Sequence, residues 1–252
     1  MKMDNKEDLT KSFGENAHSY KISNVFSDKE DLDRMINIVG PSESDIALDI
    51  ATGAGHTAVK LSKRVKEVVA IDVVENMLNQ AKLLIKENKI ENINLMNMDV
   101  HSLGFKDDYF DIATCRFAPH HFYNIEVAIK EVYRVLKKGG KLYILDCSVL
   151  NLEEAKATIN NIEKLRDPSH VNSYSLEEWQ DILKNGGFKV LYAKNLKRQY
   201  ILPDWFDRMN TPAKNRDKIF NILRGMSENL KRLYSFDERY ITTYYVELLA
   251  VK

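Results

Sequence analysis

The strongest constraint on the fold is a regular alternation of short apolar segments with amphipathic helical segments. Val68–Ile71 is a continuous apolar run, and Ile46–Ile50 and Phe110–Cys115 are mostly apolar. A continuous apolar run is typical of a strand that is covered on both faces. Helical periodicity separates them, most clearly over Glu75–Asn88. Repeated strand–helix units of this length predict an α/β fold with a doubly wound, Rossmann-like, mostly parallel sheet.

The sequence predicts seven strands in all. Four further apolar segments join the three above: Ile93–Met98, Lys141–Leu145, Phe188–Tyr192 and Tyr240–Val251. Lys137–Gly140 predicts the end of a helix over Val127–Leu136, and Ser175–Glu178 predicts a capping box. We expect N-terminal helices over residues 1–40, one domain over 41–252, and helical insertions at 151–187 and 203–235.

Composition excludes several classes of protein. Lys and Arg together number 37, as do Asp and Glu, so no basic surface for nucleic acid is expected. No stretch approaches the ~20 apolar residues that a membrane span needs, and the first ten residues do not resemble a signal peptide. The two cysteines lie in separate apolar strands, which indicates buried thiols and no metal site. We expect a cytoplasmic protein without stable membrane association.

A glycine turn between the first strand and the next helix is the first candidate for a ligand site. Gly53, Gly55 and Ala58 follow Asp49 in the run LDIATGAGHTA. Glycines at such a turn let the backbone approach a ligand that a Cβ would block. The spacing also matches a dinucleotide-binding fingerprint with Ala at its third position, so the turn alone leaves the ligand open.

Acidic residues at the ends of successive strands narrow the choice of ligand. Asp72 ends the second strand and can accept both hydroxyls of a ribose. Asp99 follows the third strand, where it can accept from an adenine amino group beside the backbone and side chain of Val100. Asp49 can hold the cationic amino group of a methionine moiety, whereas it would repel a pyrophosphate. This order of residues favours an adenosyl ligand over a nicotinamide dinucleotide.

These segments resemble the successive motifs of class I S-adenosylmethionine-dependent methyltransferases. The resemblance extends through FDIATCR at residues 110–116 and VYRVLKKGG at 132–140. It is strongest to the type-11 group, which includes the ubiquinone and menaquinone biosynthesis methyltransferases, and to uncharacterised bacterial members of that group. One departure is Ala51, which stands where the family usually has its first glycine.

The resemblance implies a fold, a cofactor and a set of site residues. The last strand should be antiparallel, S-adenosylmethionine should be the cofactor, and the N-terminal segment should form a lid whose aromatic residue is Tyr20. Arg116 and Phe117 should line the pocket near the sulfonium. The residues that we expect to bind the cofactor are Asp49, Ala51, Gly53, Gly55, Asp72, Val73, Met77, Asp99, Val100, Arg116, Phe117 and Tyr20.

The acceptor side of the predicted site lies at the carboxyl edge of the sheet, under the N-terminal segment, and the helical insertions at 151–187 and 203–235 should form this substrate side. His121 and His120 follow the fourth strand there, and either could remove a proton from an acceptor, with His121 preferred. Both could instead serve only turn hydrogen bonds. The predicted reaction is methyl transfer to a small molecule. The alternatives are a nicotinamide-dependent oxidoreductase and a cofactor-binding module without transfer activity, and a homodimer is possible.

Overall fold

The computed structural model describes residues 27–252, which contain a seven-stranded sheet between two layers of helices. The strands lie in the order β3-β2-β1-β4-β5-β7-β6. All neighbouring pairs are parallel except those of β7, which runs antiparallel to both β5 and β6. The strands are β1 (Ile46–Ile50), β2 (Glu67–Asp72), β3 (Ile93–Asn97), β4 (Phe110–Arg116), β5 (Leu136–Ser148), β6 (Lys189–Ile201) and β7 (Tyr240–Val251). The predicted fold class and the antiparallel last strand are confirmed.

Helices connect the strands and cover both faces of the sheet. They are α1 (Lys29–Val39), α2 (His56–Ser62), α3 (Glu75–Glu87), α4 (Ile125–Val135), α5 (Glu153–Arg166), α6 (Leu176–Asn185), α7 (Leu202–Asp207), α8 (Ala213–Arg224) and α9 (Glu228–Leu233). Alternate residues of each central strand enter opposite cores. In β1, for example, Ala47 packs with α1 and α2, whereas Leu48 packs with α4 and α6.

Capping groups set the ends of several helices, and the sequence predicted the one at the start of α6. The Asp28 side chain accepts from the backbone N–H groups of Glu30 and Asp31 at the start of α1, and Gly40 ends this helix with a φ of 57°. At α6 both halves of the predicted capping box are formed between Ser175 and Glu178.

The predicted role of the glycines in Lys137–Gly140 is wrong. Helix α4 already ends at Val135, and β5 begins at Leu136 and continues through both glycines. Gly139 donates its N–H to the carbonyl of Lys252, and the carbonyl of Gly140 accepts from the N–H of Lys252. The glycines therefore pair with the end of the chain instead of capping a helix.

After residue 188 the structure contains a longer strand than the sequence predicted, and the helical region that follows it is divided into separate helices. Strand β6 has thirteen residues and pairs with β7 along its whole length, with one register shift between Val190 and Tyr192. The region between β6 and β7 divides into three short helices. No helix within residues 27–252 has both the length and the apolar character needed to cross a membrane.

Candidate functional site

A deep cavity opens along the edge of the sheet where β3, β2, β1 and β4 end. It encloses about 1060 Å³ of empty space, its open mouth included. The ends of parallel strands meet at this edge, which is where open α/β sheets hold ligands. Acidic residues from three neighbouring strand ends line it, Asp99, Asp72 and Asp49, and Arg116 follows at the end of β4.

Asp49 is buried at the floor of the cavity and is held by two hydroxyl groups. Thr52 Oγ1 donates to one carboxylate oxygen at 2.6 Å, and Thr114 Oγ1 donates to the other at 2.7 Å. Burial raises the pKa of Asp49 to about 6, although the two hydroxyls and the charge of Arg116 oppose this rise. A bound cation would therefore stabilise the ionised form of this buried carboxylate.

Asp72 organises the glycine turn while it faces the same cavity. Its Oδ2 accepts from the N–H of Gly53 at 2.8 Å, and its Oδ1 accepts from the N–H of Val74 at 2.9 Å. Burial raises its pKa, and these backbone hydrogen bonds oppose the rise. At Gly53, with a φ of 54°, no heavy atom lies within 4 Å of the place where a Cβ would stand. The turn thus leaves open room for a ligand beside its backbone.

Ala51, where the family usually has glycine, adopts the left-handed backbone conformation. Its φ is 50°, a region in which a Cβ is sterically unfavourable. The residue lines the cavity and lies between β1 and the glycine turn. The alanine therefore keeps the turn geometry at a cost in strain.

Replacing Ala51 by glycine should raise the free energy of unfolding by about 0.5–1 kcal/mol, because glycine removes the left-handed strain and gives back part of this gain as unfolded-chain entropy. Urea unfolding measures the change. The control is Ala58→Gly in the buried interior of α2, which should lower stability by about 1 kcal/mol or more. A loss of stability in A51G would show that the alanine is not strained.

Gly55 packs against a neighbouring helix, whereas Gly53 faces the cavity. It does not line the cavity, and a Cβ on it would lie 3.0 Å from the Cβ of Ala81 in α3. Its φ is 89°. The glycine thus allows α2 and α3 to approach each other, and its predicted contact with a ligand stays a prediction.

The third acidic residue, Asp99, lies at the other end of the cavity from Arg116. Its Oδ1 accepts from the backbone N–H and the imidazole Nδ1 of His101, at 3.0 and 2.6 Å. Burial raises the pKa of Asp99, but the hydrogen bonds and charge of His101 more than offset this and hold it below its usual value. Asp99 is therefore ionised at neutral pH.

Arg116 and Phe117 form the opposite end of the cavity. Arg116 is buried, donates to Thr57 Oγ1 at 3.1 Å, and has a nitrogen 4.0 Å from the Asp31 carboxylate. Phe117 has a φ of 53°, which is strained for a bulky residue. The guanidinium groups of Arg116 and Arg198 lie over its ring at 5.2 and 5.6 Å. These contacts hold the strained residue at the cavity wall.

Asp31 extends this end of the site into an ionic network of buried acids and partly exposed arginines. Its carboxylate pairs with Arg34 at 2.7 Å and with Arg198. Arg34 also pairs with Glu247 on β7 at 2.8 Å. Burial raises the pKa of Asp31, but hydrogen bonds from the two arginines lower it further than burial raises it. The network fixes α1 against β6, β7 and the arginine that lines the cavity.

The two adjacent histidines lie in different surroundings. His121 lines the cavity, and its Nδ1 lies 3.2 Å from both the carbonyl oxygen and the hydroxyl oxygen of Ser169. Burial and the neighbouring His120 lower the pKa of His121 to about 3. His120 does not line the cavity, and its Nδ1 is 2.6 Å from Asp146 Oδ1. Burial lowers the pKa of His120, but Asp146 more than offsets this and raises it overall.

The structure brings most of the predicted site residues to one cavity. Its lining includes Asp49, Ala51, Gly53, Asp72, Val73, Met77, Asp99, Val100, Arg116, Phe117 and His121. Gly55 and His120 are not part of that lining, and Tyr20 lies outside the described residues. The roles of all these residues stay predictions at this point.

Sequence reasoning missed the residues that hold the acidic side chains in place. Thr114 could be found only once β1 and β4 were known to be neighbours, because Asp49 and Thr114 are register partners. Asp31 carried a weak signal, as an acidic residue beside the apolar positions of α1. His101 and Tyr123 also line the cavity, and no motif marked them.

Comparison with known proteins agrees with this geometry. A family model described as a methyltransferase domain matches residues 48–144. The uncharacterized methyltransferase YcgJ of Bacillus subtilis is 35% identical over 221 residues, which are 87% of each chain. Its crystal structure superposes with a TM-score of 0.83, at 31% identity over 88% of this chain and 98% of that one.

Two further proteins extend the comparison. A putative methyltransferase from Bacillus halodurans has a TM-score of 0.85, at 29% identity over 88% of this chain and 99% of that one. Demethylmenaquinone methyltransferase of Staphylococcus aureus is 34% identical over 151 residues, 57% of this chain and 62% of that protein. The chain therefore belongs to the S-adenosylmethionine-dependent methyltransferase family. The predicted family and cofactor are thereby confirmed.

Proposed function

We propose that the cavity binds S-adenosylmethionine across the strand ends and that the protein transfers its methyl group to a small molecule. The observation that carries this proposal is the order of charged side chains along one edge. Asp99, Asp72, Asp49 and Arg116 lie at or just beyond the carboxyl ends of β3, β2, β1 and β4, which are neighbours in this order. At ~4.8 Å between strands they span about 14 Å, which suits an extended nucleoside joined to an amino acid.

The methionine end of the ligand is assigned to Asp49, Gly53 and Arg116. A methionine moiety carries an ammonium and a carboxylate, and this end of the cavity has one buried acid and one buried guanidinium. Asp49 would accept from the ammonium, and Arg116 would donate to the carboxylate. Gly53 leaves the open space that a neighbouring ligand needs. These groups fit both charges of an amino acid, whereas Asp49 would repel a pyrophosphate.

The nucleoside end is assigned to Asp72, Val73, Met77, Asp99 and Val100. Asp72 already accepts one backbone N–H on each oxygen, and its remaining lone pairs can accept the two ribose hydroxyls. Val73 and Met77 supply apolar contact beside the ribose. Asp99 would accept from the adenine amino group, next to buried Val100.

The acceptor side is assigned to Phe117 and His121. The cofactor supplies an electrophilic methyl group, so the protein mainly orients the acceptor and excludes water. His121 lines the cavity, but its low pKa makes it a weak base at neutral pH. We expect it to act as a neutral hydrogen-bonding residue. His120, whose imidazole is oriented by Asp146, would act through His121, since their ring centroids are 4.0 Å apart.

The remaining predictions about partners follow from composition and stay proposals. A nucleic-acid partner is not expected, since acidic and basic residues are equal in number. We keep the assignment of residues 41–252 as one domain, the cytoplasmic location and the possible homodimer. No metal is expected to take part. His120, Asp146 and Cys147 bring donor atoms within 4.8 Å of one another, but two of these atoms are already joined by a short hydrogen bond.

Affinity for S-adenosylhomocysteine should fall about ten-fold between pH 8 and pH 5. The ionised form of Asp49 binds the ligand ammonium, and its pKa of about 6 means that it takes up a proton over this range. The raised pKa of Asp72 acts in the same direction, whereas His121 stays neutral. Calorimetry at four pH values measures the slope. In Asp49→Asn the affinity should be lower and the slope smaller, and an unchanged slope would contradict the assignment.

The proposed reaction is tested with methyl-labelled cofactor and a mixture of small metabolites. Transfer of label to a small molecule, lost in Asp49→Asn and kept in Glu67→Gln, is the expected result. Glu67 lies at the far end of β2 from the cavity, where it accepts from Asn94. Cofactor binding without any labelled product would favour the non-catalytic alternative.

A further inference from the structure

His101 occupies an unusual position between the loops that follow β3 and β4. Its side chain is only 5% exposed, although it lies at the mouth of the cavity. The ring stacks on Tyr123 with centroids 3.6 Å apart, and its edge meets Phe122. A buried polar ring among aromatic residues needs hydrogen-bonding partners, and those of His101 lie on both sides of the cavity mouth.

The hydrogen bonds of His101 define which nitrogen carries its proton. The backbone N–H of Asn124 points to Nε2 at 3.4 Å, so Nε2 serves as the acceptor. Nδ1 then carries a proton and donates it to Asp99 Oδ1 at 2.6 Å. Asn124 itself is anchored, because its side chain caps α4 by accepting from Val127. The imidazole thus links Asp99 to the start of a rigid helix.

This arrangement engages one oxygen of Asp99 and leaves the other for a ligand. Both donors of His101 go to Oδ1. Within residues 27–252 no hydrogen bond is formed to Oδ2, and the Asp99 side chain is 28% exposed. Hence the carboxylate has a fixed direction and one oxygen available at the adenine end of the cavity.

We propose that His101 is a positioning residue that fixes Asp99 on the 6-amino group of the adenine and thereby makes the donor site selective for adenosyl over inosyl nucleosides. This inference rests on the donor site proposed above. Adenine presents an N–H donor at position 6, whereas hypoxanthine presents a carbonyl there and an N–H at position 1. A carboxylate held in one direction repels the carbonyl, but a mobile carboxylate can turn towards the N–H at position 1.

The size of the effect follows from one hydrogen bond to a charged acceptor. Such a bond contributes about 1.5–3 kcal/mol, so the protein should bind S-adenosylhomocysteine about 10–100 times more tightly than S-inosylhomocysteine. Release of Asp99 from His101 should reduce this ratio more than it reduces affinity for S-adenosylhomocysteine. A residue that only supports the fold would lower both affinities together.

Two substitutions separate the hydrogen bond of His101 from its packing. His101→Phe keeps a ring for Tyr123 to stack on but has no donor, and we expect the selectivity ratio to fall below about 5. His101→Asn loses the ring but places an amide N–H near the position of Nδ1, and we expect a ratio that stays within about three-fold of the parent. These values correspond to loss or retention of one charged hydrogen bond.

The experiment is calorimetric titration of both nucleosides into the parent, H101F, H101N, D99N and H101F/D99N proteins. H101F should lower the ratio, H101N should retain it, and the double variant should be no less selective than D99N alone because the two residues act as one unit. If H101F does not fold, H101L, which also has no hydrogen-bond donor, gives the same test. An unchanged ratio in folded H101F or H101L overturns the inference.

The parent protein itself distinguishes failure of the inference from failure of the proposed function. If neither nucleoside binds, the proposed donor site is wrong. If both bind equally, the donor site stands, but Asp99 does not recognise the amino group and the role of His101 is refuted. Thermal unfolding of each variant checks that the comparison is made between folded proteins.

Discussion

Replacing Asp72 by asparagine should weaken the binding of S-adenosylhomocysteine about 100-fold. The carboxylate is assigned to two ribose hydroxyls, and each hydrogen bond to a charged acceptor contributes about 1.5–3 kcal/mol. The same substitution turns an amide N–H towards either Gly53 or Val74, whose backbone N–H groups now donate to the carboxylate. The glycine turn would therefore be disturbed as well, which adds to the loss.

The matched control for this prediction lies on the same strand. Glu67→Gln changes an acid at the opposite end of β2, away from the cavity, and its affinity should stay within about two-fold of the parent. Isothermal calorimetry measures both variants. If D72N and E67Q bind equally well, the ribose is not held by Asp72.

Replacing Glu247 by alanine should lower the free energy of unfolding by about 2–4 kcal/mol, because a fully buried carboxylate is removed and the buried donors that it satisfied lose their acceptor. Glu247 is fully buried on β7. It accepts from Arg34 and from the hydroxyls of Tyr143 and Tyr192, at 2.8, 2.8 and 3.0 Å. The substitution leaves a guanidinium and two hydroxyls without this partner, and it also loosens the link between α1 and the sheet.

An exposed ion pair provides the comparison for the Glu247 prediction. Glu238 pairs with Arg224 through two hydrogen bonds, but both side chains are more than half exposed. Glu238→Ala should therefore cost less than about 1 kcal/mol. Urea unfolding of both variants gives the two values. A Glu247→Ala protein as stable as Glu238→Ala would mean that the buried network does not stabilise the fold.

The sheet could be predicted because its signal is local. Each strand of the parallel part is a short, mostly apolar run, and the helices between them have apolar faces, so their alternation already indicates a doubly wound, mostly parallel sheet. The acidic residues at the strand ends could be predicted equally well, because Asp72 and Asp99 lie at or just after the ends of apolar segments. The glycine turn added the expectation of an open backbone, which Gly53 meets.

The parts that sequence could not supply depend on contacts between distant segments. The hydroxyl of Thr114 reaches Asp49 only because β1 and β4 are neighbours in the sheet. Gly139 was read as a helix cap, since a glycine after a helix often has that role, but pairing with the last residue of the chain overrides it. Likewise, nothing local distinguishes Gly55, which packs on Ala81, from Gly53, which faces the cavity.

The pKa values of His120 and His121 also could not be predicted from the sequence. Sequence placed both at the carboxyl edge of the sheet but could not separate them. In the structure, burial lowers the pKa of His121, while Asp146 raises that of its neighbour His120 against the effect of burial. The raised pKa of His120 depends on Asp146, which is 26 residues away in the sequence, so no local pattern could indicate it.

The strand-end acids should form a site for an adenosyl amino acid and not for a dinucleotide. The most direct measurement is a pair of calorimetric titrations of the full chain at pH 8, one with S-adenosylhomocysteine and one with NAD. We predict binding of S-adenosylhomocysteine with one ligand per chain and no detectable heat with NAD. Binding of NAD without binding of S-adenosylhomocysteine would contradict the account.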